Sequence, residues 1–246
     1  MSHYDAGVDQ DRPPRPQAGP GAPAGPKAAT ARSAAATSRT LLPGAEEFVL
    51  RDGTRILVRP ILAEDKDRLR EGLGRLSDES RYRRFLTSLE HLSDEQVRRL
   101  TEIDYVNHMA WVALDLARPT HPGIAVARYV RLAEDPTIAE PAVTVLDEYQ
   151  GRGIGTILLV VLARSARAHG IESFRAHVLA DNTPMVHLLR GLGATVAHEG
   201  SLLRIDVAIP SRPEELPDTP TGRVFRAAAR RQLPPFRLRH PGVPES

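Results

Sequence analysis

Residues 149–170 read YQGRGIGTILLVVLARSARAHG: three glycines in five positions, then a long apolar run with helical character. Glycine at a helix start weakens the helix, and it is useful only where something must approach the backbone closely. A strand-like run, PAVTVL (residues 141–146), lies just upstream. A strand that feeds glycines into a helix start gathers unpaired backbone N–H groups at the positive end of the helix dipole. Such a place cradles an anion. Without Cβ atoms at Gly151, Gly153 and Gly155, a diphosphate can approach the amides.

Three nucleotide motifs compete for this stretch. The Walker loop needs Gly-Lys-Ser/Thr after its glycines, and no lysine is present here. The dinucleotide fingerprint needs a third glycine three residues after the second, where this chain has Thr156. The kinase glycine loop lies between two strands and needs partner motifs that the chain lacks.

Working outward, FVLRDGTRILVRPI (residues 48–61) is two alternating runs around Asp52-Gly53, a hairpin signal. A helical period follows from about 63 to 74, then helix starts capped by Ser77 and Ser93, each with acidic residues in its first turn. MAWVALDL, GIAVARYVRL and IAEPAVTVL read as strands. After the glycine-rich helix come a strand SFRAHVL, a helix capped by Thr183 with Pro184 in its first position, and a closing pair ATVAHE and SLLRIDVAI. This order predicts an α/β fold of the α+β type, with a mixed, mostly antiparallel sheet flanked by helices and one strand–helix–strand crossover. Residues 1–44, rich in Pro, Ala and Gly, predict a disordered leader. Residues 45–210 predict the folded domain, and residues 211–246 a Pro/Arg-rich tail that frays.

Gln150-Gly151-Arg152-Gly153-Ile154-Gly155 matches the Q/R-x-x-G-x-G/A signature of the GNAT acetyltransferase superfamily. Residues 46–209 follow that family's order of elements, and Asn182 and Leu192-Gly193 fall where it places Asn and Leu-Gly-Phe. LRDGTRILVRPI, LSDESRYRRF and IDYVNHMAWVAL resemble the acetyltransferase domain of bacterial protein-lysine acetyltransferases. That family often joins this domain to a regulatory or ligase-like one, and the flanks here are too short and polar to read as either. The resemblance implies acetyl-CoA as co-substrate, its pyrophosphate on the amides from Gly151 to Thr156. It also implies that Val143 and Val145 offer backbone groups to the pantetheine and the thioester carbonyl, with Asn182 beside the pantetheine arm.

Moving acetyl from a thioester to an amine requires a neutral amine, and a lysine of pKa ~10.4 is deprotonated roughly one time in a thousand near pH 7.4. A carboxylate that takes the proton lowers that barrier, typically by about 10²–10⁴-fold in rate. Glu140, ten positions before Gln150, occupies the place of the general-base glutamate in the protein-lysine acetyltransferases. Strand alternation puts Glu140, Ala142 and Thr144 on one face. Pro141 removes a ladder donor, so the strand is unpaired there or at an edge. The family's tyrosine acid, seven positions after its asparagine, is Leu189 here, which leaves water to protonate the departing thiolate. Ala194 replaces the usual Phe, a repacking change.

The rest of the chain bounds the alternatives. It has 246 residues, 41% hydrophobic but only 4% aromatic, so the core is built from Val, Leu, Ile and Ala. No cysteine is present, which removes disulfides, thiol catalysis and thiolate metal sites. The histidines show no HxH or HxxxH spacing, so no metal site is expected. His177 in SFRAHVL is the second candidate base, and Trp111 reads as a core or pocket-wall residue. No run is long and apolar enough for a membrane span and the N-terminus is unlike a secretory signal, so the expected location is the cytoplasm. The net charge of +2 is too small to imply a polyanionic partner by itself, and RVFRAAARRQLPPFRLRH reads as a solvated, partly helical tail before a nucleic-acid or membrane contact. The expectation is an acetyl-CoA-dependent N-acetyltransferase with Glu140 as base and a protein lysine as acceptor. A small-molecule amine acetyltransferase and a non-catalytic acyl-CoA-sensing module are the alternatives.

Overall fold

A computed structural model of the chain describes residues 44–85 and 91–230. The leader expected over 1–44 lies outside the described residues apart from Gly44, as does the tail beyond Arg230. Strand β1 (Glu46–Val49) turns through Gly53, at φ 82°, into β2 (Arg55–Pro60), the hairpin expected from Asp52-Gly53. Next come helices α1 (Lys66–Gly74), α2 (Asp78–Phe85) and α3 (Asp94–Thr101). Ser93 starts α3 with a reciprocal cap: its hydroxyl accepts from the Gln96 N–H while the Gln96 side chain accepts from the Ser93 N–H.

Strands β3 (His108–Asp115), β4 (Gly123–Arg131) and β5 (Ile138–Val145) continue as an antiparallel meander. Helix α4 (Ile154–Ala168) crosses to β6 (Ser173–Leu179), and α5 (Thr183–Gly191) leads to β7 (Thr195–Glu199) and β8 (Leu202–Ala208). The eight strands form one sheet in the order β1-β2-β3-β4-β5-β6-β8-β7. Within it β5 and β6 run parallel while the other neighbouring pairs are antiparallel. The mixed, mostly antiparallel α/β fold expected from the sequence is the fold that forms.

Strand β3 shows why the central run is continuously apolar. Met109, Trp111 and Ala113 join the cluster that buries Ile154, Leu158, Val161 and Leu162 of α4, while Ala110, Val112 and Leu114 belong to a cluster on the other face. Side chains alternate between faces, so a strand covered on both sides must be apolar throughout. Each large side chain on the α4 stripe contributes about 1.5–3 kcal/mol of burial. Trp111 is a core residue, its indole N–H donating to the Ser165 hydroxyl at 3.0 Å. Helix α4 stops at Gly170, φ 76°, where Ile171 N–H reaches the Ala166 carbonyl and Gly170 N–H the Arg167 carbonyl.

Two local expectations change. Helix α5 is capped by Asn182, not Thr183: the Asn182 Oδ1 accepts from the Met185 N–H at 3.4 Å, and Thr183 is the first helical residue. The segment after Ser211 does not fray at once. Pro213–Glu215 makes a 3-10 turn, and α6 (Pro220–Arg230) packs against α4 and α5. The arginines of RVFRAAAR (residues 223–230) flank a narrow apolar face, and Phe225 on it is 6% exposed. Gly222 permits the approach, since a Cβ there would stand 2.0 Å from the Pro217 carbonyl oxygen.

Candidate active site

The sheet opens beside β5. Pairing between β5 and β6 consists of Ile138 with Ser173 and Ala139 with Phe174, and then ends. Backbone direction follows from the neighbouring bonds. Leu146 N–H donates to the Ile124 carbonyl at 3.0 Å and the Ile138 carbonyl accepts from Leu132, so even-numbered residues of this segment bond to the β4 side. The Thr137 carbonyl accepts from Glu172 at 2.7 Å, so odd-numbered residues face β6. Val143 and Val145 therefore turn their N–H and C=O groups into the open gap. Pro141 is also odd-numbered, so its missing N–H is subtracted from the edge that has no partner strand. That is the physical reason a proline is tolerated inside an eight-residue strand.

The glycine loop closes one end of the gap. A 3-10 turn at Asp147–Tyr149 leads into it, anchored by the Tyr149 hydroxyl, which donates to the buried Asp115 carboxylate at 2.7 Å. Asp147 accepts from the Ser77 N–H at 3.0 Å and from the Ser80 hydroxyl at 2.6 Å, which ties the start of α2 to the loop. Burial pushes the Asp147 carboxyl up, but the hydrogen bonds from Ser80 and Ser77 outweigh it and hold it below the ordinary value. Gly151 and Gly153 have φ of 73° and 88°, the left-handed region where a side chain is strained. Gly155 is helical, and a Cβ there would meet nothing nearer than Val145 Cγ2 at 3.7 Å. No side chain caps α4; its first backbone bond runs from Ile157 N–H to the Gly153 carbonyl, which leaves the amides of Ile154, Gly155 and Thr156 for a ligand. Helices α1, α2 and α3 carry acids in their first turns, whereas α4 and α5, whose starts face the gap, carry none.

Loop, gap and helix starts enclose a cleft of about 540 Å³. Val143, Val145, Gln150, Gly151, Gly153, Ile154, Gly155, Thr156 and Asn182 all line it. Arg152 is the exception among the residues expected to bind. Its guanidinium turns outward to the Asp52 carboxylate at 3.1 Å and the Glu148 carbonyl at 2.8 Å, and lies over the Tyr149 ring. Its side chain braces the loop from outside. Gln150 also braces, its amide donating to the Val145 carbonyl at 3.2 Å. The amides and the two acid-poor helix starts suit a diphosphate, and the strand edge suits an amide-bearing chain.

Glu140 stands on the other side of the sheet. Facing residues across the β4–β5 ladder share a face, and Glu140 is opposite Val130, Ala142 opposite Arg128, Thr144 opposite Val126. Val126 packs with the cluster on the face away from α4. Glu140 is thus exposed on that face, one residue past the last β5–β6 pair. Burial lowers the pKa of the Arg84 guanidinium and the Glu140 carboxylate opposes that shift. Deeper in, burial and the Arg84 charge pull Arg128 down to about 9, and Arg128 donates to His108 Nε2 at 3.0 Å. Burial and the Arg128 charge press His108 down to about 4. His177 is exposed and sits 3.5 Å from the Glu199 carboxylate on the far half of the sheet.

Residues 80–194 match the acetyltransferase (GNAT) family. The chain is 35% identical over 144 residues to Acetyltransferase PA5475 of Pseudomonas aeruginosa, a match covering 58% of this chain and 77% of that protein. The solved GNAT domain of S. lividans PAT superimposes with a TM-score of 0.61 at 34% identity, covering 67% of this chain and 97% of that domain. The chain belongs to the GNAT acetyltransferase family. Acetyltransferase Pat of Mycolicibacterium smegmatis is 38% identical over 162 residues, 65% of this chain; the match spans about half, 48%, of that relative.

Within this GNAT fold, sequence reasoning missed the contribution of α2. Ser80, Arg83 and Arg84 line the cleft, and Arg84 lies within electrostatic reach of Glu140. The signal was the pair of arginines in SRYRRF at the end of a helix whose start carries acids. Their destination depends on how α2 crosses β5. Leu189, where a tyrosine acid would stand, packs in an apolar cluster with Val186 and Ile205. Among the described residues no three His, Asp or Glu side chains gather as metal ligands, and no helix is long and apolar enough to cross a membrane.

Proposed function

We propose that the chain moves an acetyl group from acetyl-CoA to a primary amine, with a protein lysine side chain as the favoured acceptor. The amides from Gly151 to Thr156 hold the pyrophosphate, with Ile154, Gly155 and Thr156 at the helix start carrying most of the charge. Val143 and Val145 bond the pantetheine along the open strand edge, and Asn182, its Oδ1 engaged in capping α5, offers its amide N–H₂. The acceptor nitrogen attacks the thioester carbonyl carbon from the Glu140 side. Glu140 takes the ammonium proton, directly or through a water, so that the neutral amine forms the new C–N bond. As the C–S bond breaks, the nitrogen gives up its second proton to water, and water passes a proton to the departing thiolate, so the products are the amide and free CoA thiol.

One observation carries this reading: an exposed carboxylate stands where the two parallel strands part, on the face opposite the helix that crosses between them. Donor and acceptor can then approach the same carbon from opposite faces of the sheet. The open setting of Glu140 favours a lysine presented on a protein surface over a small amine, which a closed pocket would have to grip. The test is release of free thiol from acetyl-CoA with a panel of proteins and small amines, with acetylated residues located by mass spectrometry. Thiol release with small amines but with no protein would move the acceptor to the small-molecule class.

A further inference from the structure

Beyond the cleft lies a second cavity, of about 340 Å³, that the transfer of an acetyl group does not use. Pro141, Phe174 and Ala176 line it at the closed end of the strand gap, Leu159 and Ala163 of α4 form its side, and Phe225 of α6 helps to cover it. Leu159 also lines the cleft, so the two spaces meet at one residue of α4. Their order along β5 follows the same line. Val143 and Val145 border the cleft, and Pro141, the next odd-numbered position, borders the cavity. Pro141 pairs with Tyr129 and Val143 with Ala127, both in the core cluster under α4, so the cavity lies on the α4 face while Glu140 lies on the other.

We infer that this cavity is an acyl chamber, and that the chain accepts linear acyl-CoA donors longer than acetyl. The inference rests on the donor reading above. With the thioester carbonyl at Val143, the acyl carbons continue towards Pro141 and between Phe174 and α4, away from the face on which the amine arrives. Lengthening the acyl chain therefore does not obstruct attack. The wall is mostly aliphatic and aromatic, with Ser211 and the arginines Arg164, Arg167 and Arg212 also among its lining; methylenes would fill the apolar part between Pro141, Leu159, Ala163 and Phe174. Its cover, α6, lies outside residues 80–194, the part that matches the family, while Pro141, Leu159, Ala163 and Phe174 lie within it.

The experiment measures binding of CoA, acetyl-CoA, butyryl-CoA and hexanoyl-CoA to the full chain by calorimetry. Each buried methylene is expected to tighten binding about fourfold, the equivalent of ~0.8 kcal/mol. The rise should continue through hexanoyl. Ala163→Phe, which fills the chamber, should abolish the rise, with acetyl-CoA affinity as the internal reference. Binding of CoA and acetyl-CoA without a gain from longer chains overturns the chamber and leaves the donor reading standing. Failure of CoA and acetyl-CoA to bind overturns both. A gain that survives in a folded Ala163→Phe protein also overturns the assignment, because the chain then lies elsewhere. Should that variant not fold, the series on the unaltered chain still decides.

Discussion

Ala139 and Phe174 are the last residues at which β5 and β6 pair, and every position expected to touch donor or acceptor lies beyond that point on β5 or the elements it leads to. The parting of two strands leaves an edge with unpaired donors and acceptors, and the next residue, Glu140, faces solvent at its mouth. Unpaired backbone groups and an exposed carboxylate therefore stand together at one break in the ladder.

Glu140→Gln is expected to lower turnover by at least ~10²-fold with acetyl-CoA affinity nearly unaltered. The amide keeps the shape and removes the base, so residual activity should climb with pH as the amine deprotonates in solution. Rate–pH profiles of both forms check this. Wild-type turnover by the Gln form at pH 7 would make Glu140 a bystander.

Gly153 and Gly155 should respond differently to valine. At Gly153, φ 88°, valine strains the backbone and should lower the melting temperature of the unliganded chain as well as abolish its stabilisation by acetyl-CoA. At Gly155, with helical φ and no protein atom nearer than 3.7 Å, valine should abolish the acetyl-CoA shift and leave the unliganded fold nearly as stable. Thermal shifts with acetyl-CoA, ATP and NAD provide the comparison; equal shifts from ATP and acetyl-CoA would refute the assignment of the loop.

Asp147→Ala is expected to cost about 1 kcal/mol at pH 7, through loss of the hydrogen bonds it accepts from Ser77, Ser80 and Gln150 at an exposed site, and to loosen α2 from the loop. The folded-state pKa is depressed, so the contribution is present above the ordinary carboxylate pKa and is lost as pH falls below about 4. The difference between the two proteins in denaturant curves should be smaller at pH 3 than at pH 7.

His108 gives a pH dependence of its own. Its folded-state pKa, about 4, lies below the unfolded value, so protonation favours unfolding and stability should fall as pH drops from about 6.5 towards 4. His108→Gln should flatten that part of the stability–pH curve. An unchanged slope would assign the titration to another group.

Deleting residues 1–44 should leave melting temperature and acetyl-CoA affinity unchanged, because that composition cannot bury a core. Phe225→Ala, by contrast, should cost roughly 3 kcal/mol, since the ring is 6% exposed where α6 meets the domain. A neutral Phe225 variant would mean that α6 contributes little to the fold.

By itself the sequence determined the strands, the glycine-bearing helix start and the order of elements, because period-two and helical patterns, caps and turn glycines act over neighbouring residues. It also placed Glu140 on the strand that leads to the loop. What only the tertiary structure decided was direction. Arg152 sits inside the signature yet points away to Asp52, and Arg84 comes from a distant helix to the neighbourhood of Glu140. The segment after Ser211 reads as a tail, yet α6 buries Phe225 and walls a cavity. Each of these depends on how elements far apart in the chain cross, and local periodicity carries no information about a crossing.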